Sequence, residues 1–286
     1  MRDRLAFASA RHEKWRRWLM REPRGHADLT AAVMTPPERA GSAAGVLFMH
    51  NDGFAPMCGH GLLAIAKILK PAAPLVLDTA VGRVTLRGDG DDVSFEGPPA
   101  FVFRAGVPVL VNGRPVMVDV AYGGAFYAFV DAEAAGLSVT TAKLPALRTA
   151  GMAIRHAVEK ELVIVHPTEP AAAGLDGVVF TGPPTVEGAA VRSVTVFGDG
   201  AVDRSPGGAP TAALLAVLDA MGLADEAVPV INESIAGATF CARILSRASV
   251  GDLPAVVPEI SGTAFVTGEH TFVLEPRDPF AQGLPE

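Results

Sequence analysis

The stretch Met57-Cys58-Gly59-His60-Gly61 leads directly into an apolar run, residues 62–69, which ends just before Pro71. The run is apolar on nearly every face and stops at a proline, so we predict a helix buried in the middle of a lobe. Gly207-Gly208-Ala209-Pro210 opens a second apolar run that stops at Gly222, with the proline in the first turn, where it is tolerated. Two buried helices, each entered through a glycine-rich turn, therefore decide the predicted fold.

Short β-type segments, bounded by Gly, Pro and Asp turns, surround both predicted helices. We predict an α+β fold of two pseudo-symmetric lobes, each a sheet wrapped around one buried central helix. The lobes span residues 1–116 and 117–286, divided after the turn Asn112-Gly113-Arg114-Pro115, and the last strand can fold back onto the first lobe. The predicted strands lie at residues 45–49, 75–77, 82–86, 93–96, 107–110, 125–130, 162–165 and 194–197, with more strands up to residue 274.

The composition excludes several classes of function. Of the 286 residues, 49% are hydrophobic and 19% are charged, and the net charge of −7 comes without any basic block, so the footprint of a nucleic-acid-binding protein is missing. The opening Met1-Arg2-Asp3-Arg4 is not a signal segment and no apolar run is long enough to cross a bilayer, which indicates a cytoplasmic protein without a membrane partner. With only two cysteines and no His-x-x-x-His or Cys-x-x-Cys pair, we expect neither a disulfide framework nor a metal site.

Cys58 stands at the entry to the first predicted helix, where free backbone N–H groups and the helix dipole favour an anion and hence a thiolate. The amides beside Gly59 and Gly61 could hold a carboxylate at the point where that thiolate reaches an α-carbon. This combination suits proton abstraction from an amino acid. The alternative is a buried structural cysteine, and His60 can equally assist the thiolate or pack in the core.

The approach to the second helix offers Asp203, which either accepts a hydrogen bond from a substrate ammonium or organises the turn together with Ser205. Gly207 brings no side chain to this helix start. Cys241 lies in a β-type stretch without a glycine turn, which favours a structural role for that thiol.

These motifs resemble the proline racemase family, which includes hydroxyproline epimerases and trans-3-hydroxy-L-proline dehydratases. The resemblance implies a diaminopimelate-epimerase-like fold, with the active site between the two lobes and no cofactor. It is carried by Glu22-Pro23-Arg24-Gly25-His26, Met57-Cys58-Gly59-His60-Gly61, Gly123-Gly124-Ala125-Phe126-Tyr127, Asp203-Arg204-Ser205-Pro206, Asn232-Glu233-Ser234 and Asp278-Pro279-Phe280.

The resemblance also implies roles for individual residues. Cys58 matches the catalytic base, Gly59 and His60 the adjoining substrate-binding turn, and Asp203 the aspartate that faces the substrate amine. The start of the second helix, Gly207-Gly208-Ala209, matches the turn that binds the substrate there. At the position of Gly207, racemases and epimerases of the family carry a second cysteine, and the dehydratases carry a threonine.

Inversion at an α-carbon needs a proton donor on each face, and glycine supplies none. Loss of a β-hydroxyl group removes the need for that second donor, so we expect dehydration of trans-3-hydroxy-L-proline with Cys58 as the single base. One alternative is a proline racemase or hydroxyproline epimerase in which water replaces the second thiol. The other is a non-catalytic protein that binds imino acids.

The sequence also departs from the family at its start. Relatives open with an Asp-x-His-Thr type strand, and nothing similar precedes Glu22. We therefore expect the first lobe to be one strand short, with an exposed sheet edge that invites pairing with another chain. The expected partners are thus a proline-type small molecule and, through this edge, a second copy in a homodimer.

Overall fold

The computed structural model describes residues 1–89, 92–111 and 113–284. It has a mixed α+β fold, as predicted, and divides into two compact units. The first consists of Met1–Val93 and Thr263–Glu286, and the second of Ser94–Gly262. No helix in the described parts of the chain has the length and apolar character that crossing a bilayer requires.

The first unit contains a small mixed sheet and three helices. Its sheet has the strand order β1-β2-β4-β5, with β3 added to β2; only the β2–β4 pairing is parallel. The elements are α1 (Arg2–Arg11), α2 (Glu13–Met20), β1 (Ala31–Thr35), β2 (Ala44–Met49), β3 (Phe54–Ala55), α3 (Gly59–Leu69), β4 (Leu75–Thr79) and β5 (Gly82–Asp89). The next strand, β6 (Asp92–Glu96), contains the division between the units.

The helix α3 is the first of the two predicted helices. Leu62, Leu63, Ile65 and Ala66 are buried along it, as expected for a helix that is apolar on most faces. The helix ends where Lys70 takes a left-handed conformation, with φ at 46°, immediately before Pro71.

The second unit is built on a strand-rich, barrel-like sheet. Its strand order is β7-β8-β9-β10-β11-β12-β13-β14, and β14 pairs again with β7 through Ala255 opposite Phe101, which closes the sheet on itself. The elements are β7 (Ala100–Val111), β8 (Arg114–Tyr122), β9 (Phe126–Asp131), α4 (Leu144–Glu161), β10 (Gly177–Gly182), β11 (Val191–Phe197), α5 (Gly208–Ala220), β12 (Val230–Ser234), β13 (Thr239–Val250) and β14 (Leu253–Gly262).

Both faces of the central strands in this unit are covered by helices. Tyr127, Phe129 and Val179 pack against α5, whereas their neighbours Phe126 and Ala128 belong to the cluster that contains α4. A strand that is buried on both faces has a continuous apolar sequence, and residues 125–130 have such a sequence. Phe126 and Tyr127 are therefore part of the core.

Two predictions in this unit are wrong. The structure has the helix α4 at residues 144–161, which was not predicted. Its proline lies in the first turn, where it is tolerated, and the buried residues Leu147, Gly151, Ile154 and Val158 recur every three or four positions, so the helical pattern is present in the sequence. A strand was predicted at residues 162–165, where only Val165 forms an isolated bridge, to Ala173.

The unit division also differs from the predicted boundary after residue 116. The turn used for that boundary joins β7 and β8, which pair along their length from Phe101 opposite Tyr122 to Val111 opposite Arg114. Asn112 in this turn lies outside the described residues. A turn between two β-type runs marks a hairpin as readily as a domain boundary, and here the compact units divide at residues 93 and 262.

The C-terminal segment returns to the first unit, but not as a strand. Residues 263–274 were predicted to continue the strands, yet β14 ends at Gly262 and Phe265 and Val273 are 80% and 74% exposed. The edge of the Phe272 ring meets Trp18 of α2 at 6.2 Å between ring centroids. The residue types favour a strand, but propensity does not produce one without a strand to pair with.

Candidate active site

Cys58 is the residue immediately before α3. Its backbone is extended, with φ at −144° and ψ at 109°, and its carbonyl oxygen accepts the first helical hydrogen bond from Leu62 at 3.0 Å. The thiol is buried and makes no capping hydrogen bond to the helix. The first-turn N–H groups of α3 are therefore not capped by this side chain, and they are suited to an external acceptor.

The glycines that follow Cys58 leave room beside its sulfur. A Cβ atom built on Gly61 would lie 3.4 Å from Cys58 Sγ and 2.9 Å from Cε1 of the fully buried Phe48 ring. A larger residue at position 61 would thus press on both the thiol and the core. Gly59 is buried at the first position of the helix, and His60 is half-buried at the second.

Arg16 of α2 supports the turn that leads to Cys58, and sequence analysis assigned no role to this helix. Its guanidinium is 2% exposed and donates hydrogen bonds to the carbonyl oxygens of His50, at 2.7 Å, and of Asn51. It also pairs with Glu13, and this hydrogen bond lowers the pKa of the Glu13 carboxyl although partial burial opposes the shift. A buried arginine that makes these four hydrogen bonds holds the β2–β3 turn in place.

Asp203 organises the turn before α5, which was one of its two predicted roles. Its Oδ1 accepts hydrogen bonds from the backbone N–H of Ser205 at 2.9 Å and from the Ser205 hydroxyl at 2.8 Å. The hydroxyl oxygen of Ser205 accepts in turn from the N–H of Gly207 at 3.1 Å. The carboxylate is buried, with 8% of the residue exposed, so the turn is held rigidly.

The backbone at Gly207 explains why this position carries glycine. Gly207 precedes α5 with φ at 70° and ψ at 128°, a conformation that residues with a side chain rarely adopt. A Cβ atom there would lie 2.8 and 2.9 Å from the ring carbons of Pro210 and 3.1 Å from Asp203 Oδ2. Gly208 and Ala209 follow as buried residues of the first helical turn and provide N–H groups, which Pro210 does not.

Gly123 brings the β8–β9 turn directly onto α5. A Cβ atom at Gly123 would lie 2.3 Å from the carbonyl oxygen of Ala209 and 2.5 Å from the nitrogen of Ala213, so only glycine fits. The family resemblance includes this glycine, but its physical role becomes visible only through the contact with the helix backbone.

The expected site residues thus form two groups, each gathered around one helix start. Cys58, Gly59 and His60 lie in the first unit, and Asp203 and Gly207-Gly208-Ala209 lie in the second. Cys241 is half-buried in β13 and belongs to neither group. In the described parts of the chain, no three His, Cys, Asp or Glu side chains converge as metal ligands would.

A thiol at a glycine-rich helix start, an Asp-Arg-Ser-Pro turn before a second buried helix and a barrel-like sheet together define one class of protein. The family described as Proline racemase matches residues 1–285, and the chain belongs to this family. The family comprises lyases and isomerases, so the protein is an enzyme.

Several relatives within the family carry names that state an activity. The chain is 37% identical over 296 residues to a trans-3-hydroxy-L-proline dehydratase from Bacillus cereus, which covers 99% of this chain and 89% of the relative. A Homo sapiens protein of the same name is 38% identical over 290 residues, covering 94% of this chain and 82% of the relative. This chain is also similar to a hydroxyproline epimerase from Agrobacterium vitis, whose crystal structure contains bound trans-4-OH-L-proline. The two structures superpose with a TM-score of 0.90 at 28% sequence identity, and the match covers 99% of this chain and 86% of that chain.

Proposed function

We propose that this enzyme dehydrates trans-3-hydroxy-L-proline, with the thiolate of Cys58 as its single acid–base group. The observation that carries the proposal is the backbone at Gly207, which stands where the racemases and epimerases of the family carry a second cysteine. Its φ of 70° and the closeness of Pro210 disfavour a side chain at this position. The names of the Bacillus cereus and Homo sapiens relatives support the same reaction.

The stereochemistry of the substrate matches a single acid–base group. In trans-3-hydroxy-L-proline the carboxylate on C2 and the hydroxyl on C3 lie on opposite faces of the ring. The hydrogen on C2 and the hydroxyl therefore lie on the same face. One thiol on that face can reach both groups, and a donor on the other face is not needed.

The steps balance with Cys58 alone. The thiolate takes the proton from C2, the electron pair of that bond forms the C2=C3 double bond, and the C3–O bond breaks. The thiol then returns its proton to the departing hydroxide, which leaves as water and restores the thiolate. The enamine tautomerises to the cyclic imine, so neither an oxidant nor a second catalytic residue enters the reaction.

The helix starts supply the electrostatic part of the mechanism. A carboxylate held by first-turn N–H groups takes up the charge that develops when C2 loses its proton. The Gly59-His60-Gly61 turn of α3 and the Gly208 and Ala209 amides of α5 are the candidates for this role. We further infer that α3 and α5 are the equivalent central helices of two related lobes, since both begin at a glycine-rich turn and bury apolar residues in the turns that follow.

The test is proton NMR of products from three separate incubations in D₂O, with trans-3-hydroxy-L-proline, L-proline and trans-4-hydroxy-L-proline. We expect the cyclic imine from the 3-hydroxy compound and no inversion at C2 of the other two. Cys58→Ala should abolish the reaction, whereas Cys241→Ala, which removes the other thiol of the chain, should leave it intact. Epimer or inverted, deuterated product without imine would overturn the proposal in favour of an isomerase, and binding without turnover would leave only a binding protein.

A further inference from the structure

A buried series of polar side chains links the sheet of the second unit to the first turn of α5. The hydroxyl of Ser193 donates to Oδ1 of Asn232 at 2.9 Å, and Nδ2 of Asn232 donates to the hydroxyl oxygen of Thr211 at 3.0 Å. The hydroxyl of Thr211 donates to the carbonyl oxygen of Pro206 at 3.3 Å. The three residues that contribute side chains, Ser193, Asn232 and Thr211, are each at most 1% exposed. The series thus joins β11 and β12 to α5 and to the loop before it.

The series ends at the turn that carries the candidate site. Pro206 lies between Ser205, which is bound by Asp203, and Gly207, the residue before α5. The backbone N–H of Thr211 also donates to the carbonyl oxygen of Gly207 at 3.0 Å. A shift of Thr211 would therefore move the Asp203 turn and the first-turn amides together.

Thr211 is the one residue with a polar side chain in the buried part of α5, which runs from Gly208 to Val217. Apolar packing is nondirectional, so by itself it specifies the rotation and axial position of an all-apolar helix only weakly. Hydrogen bonds have fixed geometry and can define such a register. Replacing a complete buried network with apolar groups of similar shape can leave stability nearly unchanged. Stability alone therefore does not account for these three polar residues.

We propose that Ser193, Asn232 and Thr211 are positioning residues that set the register of α5, so that the N–H groups of Gly208 and Ala209 meet the carboxylate of the bound imino acid. This inference rests on the proposed function for the identity of the ligand. None of the three residues touches the substrate in this account. Their effect passes through the backbone of the helix start.

The test compares variants that differ by single hydroxyl groups. Thr211→Val keeps the shape of the side chain and removes its hydroxyl, whereas Thr211→Ser keeps the hydroxyl. Binding of pyrrole-2-carboxylate, a planar imino-acid carboxylate, is measured by calorimetry, and kcat and KM are measured with trans-3-hydroxy-L-proline. We expect Thr211→Val to weaken probe binding at least about tenfold and Thr211→Ser to restore it, since small displacements of binding groups have large effects.

A triple variant separates positioning from stability. In Ser193→Ala/Thr211→Val/Asn232→Leu none of the three side chains keeps a polar group that has lost its side-chain partner, so we expect the melting temperature to recover relative to Asn232→Leu while probe binding stays weak. Wild-type affinity in Thr211→Val or in a folded triple variant would overturn the inference and leave a structural network. If the wild type binds the probe but releases no water from the substrate, the proposed function fails and the positioning role stands. If the wild type forms the imine but binds no probe, the proposed function stands and the positioning inference is overturned.

Discussion

Gly207→Ala is the substitution whose effect can be worked out most directly from the backbone. The new Cβ atom would meet the Pro210 ring at 2.8 and 2.9 Å, and a residue with a side chain would be held at a φ of 70°. Backbone strain of this kind costs about 1–3 kcal/mol, and overpacking against a ring that cannot turn away costs about 1–3 kcal/mol more. We therefore expect a loss of about 2–6 kcal/mol in the free energy of unfolding.

The assay is chemical and thermal denaturation, with Gly200→Ala as the matched control. Gly200 also has a positive φ, 83°, but nothing lies within 4 Å of its would-be Cβ atom, so this variant reports backbone strain alone. For a unit of this size, a loss of 1 kcal/mol in the free energy of unfolding lowers the melting temperature by about 2–4 °C. Gly207→Ala should therefore melt at least about 4 °C below the wild type and clearly below Gly200→Ala. Equal melting temperatures for the two variants would refute the argument that Pro210 closes this position.

Three further predictions follow from neighbouring features. Gly207→Cys should be tolerated better in a Pro210→Gly background, and that double variant should acquire racemisation of L-proline. If the effects of the two substitutions on the melting temperature are simply additive, the predicted contact between the residue at position 207 and Pro210 is contradicted. Gly123→Ala should destabilise the protein by about 3 kcal/mol because its Cβ atom would meet the backbone of α5, whereas Gly53→Ala, in open space, should be neutral in the same melting assay. Burial opposes ionisation of Glu233, but hydrogen bonds from residues 185 and 186 and the charge of Arg192 outweigh it and lower the pKa of this carboxyl. The carboxylate therefore stabilises the fold at pH values above the ordinary glutamate pKa of about 4.3. This stabilisation is lost as the pH falls through the lowered pKa. The melting difference between the wild type and Glu233→Gln should therefore be largest near neutral pH and shrink in acid, and a constant difference would contradict it.

The elements with the strongest local signals could be predicted from the sequence. The structure buries α5 from Gly208 to Val217, whereas Ile68 and Leu69 at the end of α3 are exposed. Both helices could nevertheless be predicted from the sequence, because most positions in the two runs are apolar. The strand at 45–49 is β2 for the same reason. In contrast, α4 carries both polar and apolar residues, and its helical pattern is weaker than the β-type pattern of the run that follows it.

Features that depend on distant contacts could not be read from the sequence. Arg16 contacts a turn that lies more than thirty residues away along the chain, and nothing in the local sequence of α2 indicates that partner. Whether residues 263–274 form a strand depends on a pairing partner elsewhere. The sequence shows that position 207 is a glycine. It does not show the positive φ or the nearby ring of Pro210, which favour glycine there.

The measurement that tests the central claim most directly compares trans-3-hydroxy-L-proline with cis-3-hydroxy-L-proline at equal enzyme concentration, following the cyclic imine by proton NMR. In the cis isomer the hydroxyl lies on the face opposite the C2 hydrogen, beyond the reach of a thiol that has just taken that proton. A single acid–base group at Cys58 predicts imine from the trans isomer alone, and none from either isomer with Cys58→Ala. Comparable imine formation from both isomers, or unchanged turnover of the trans isomer by Cys58→Ala, would contradict the account.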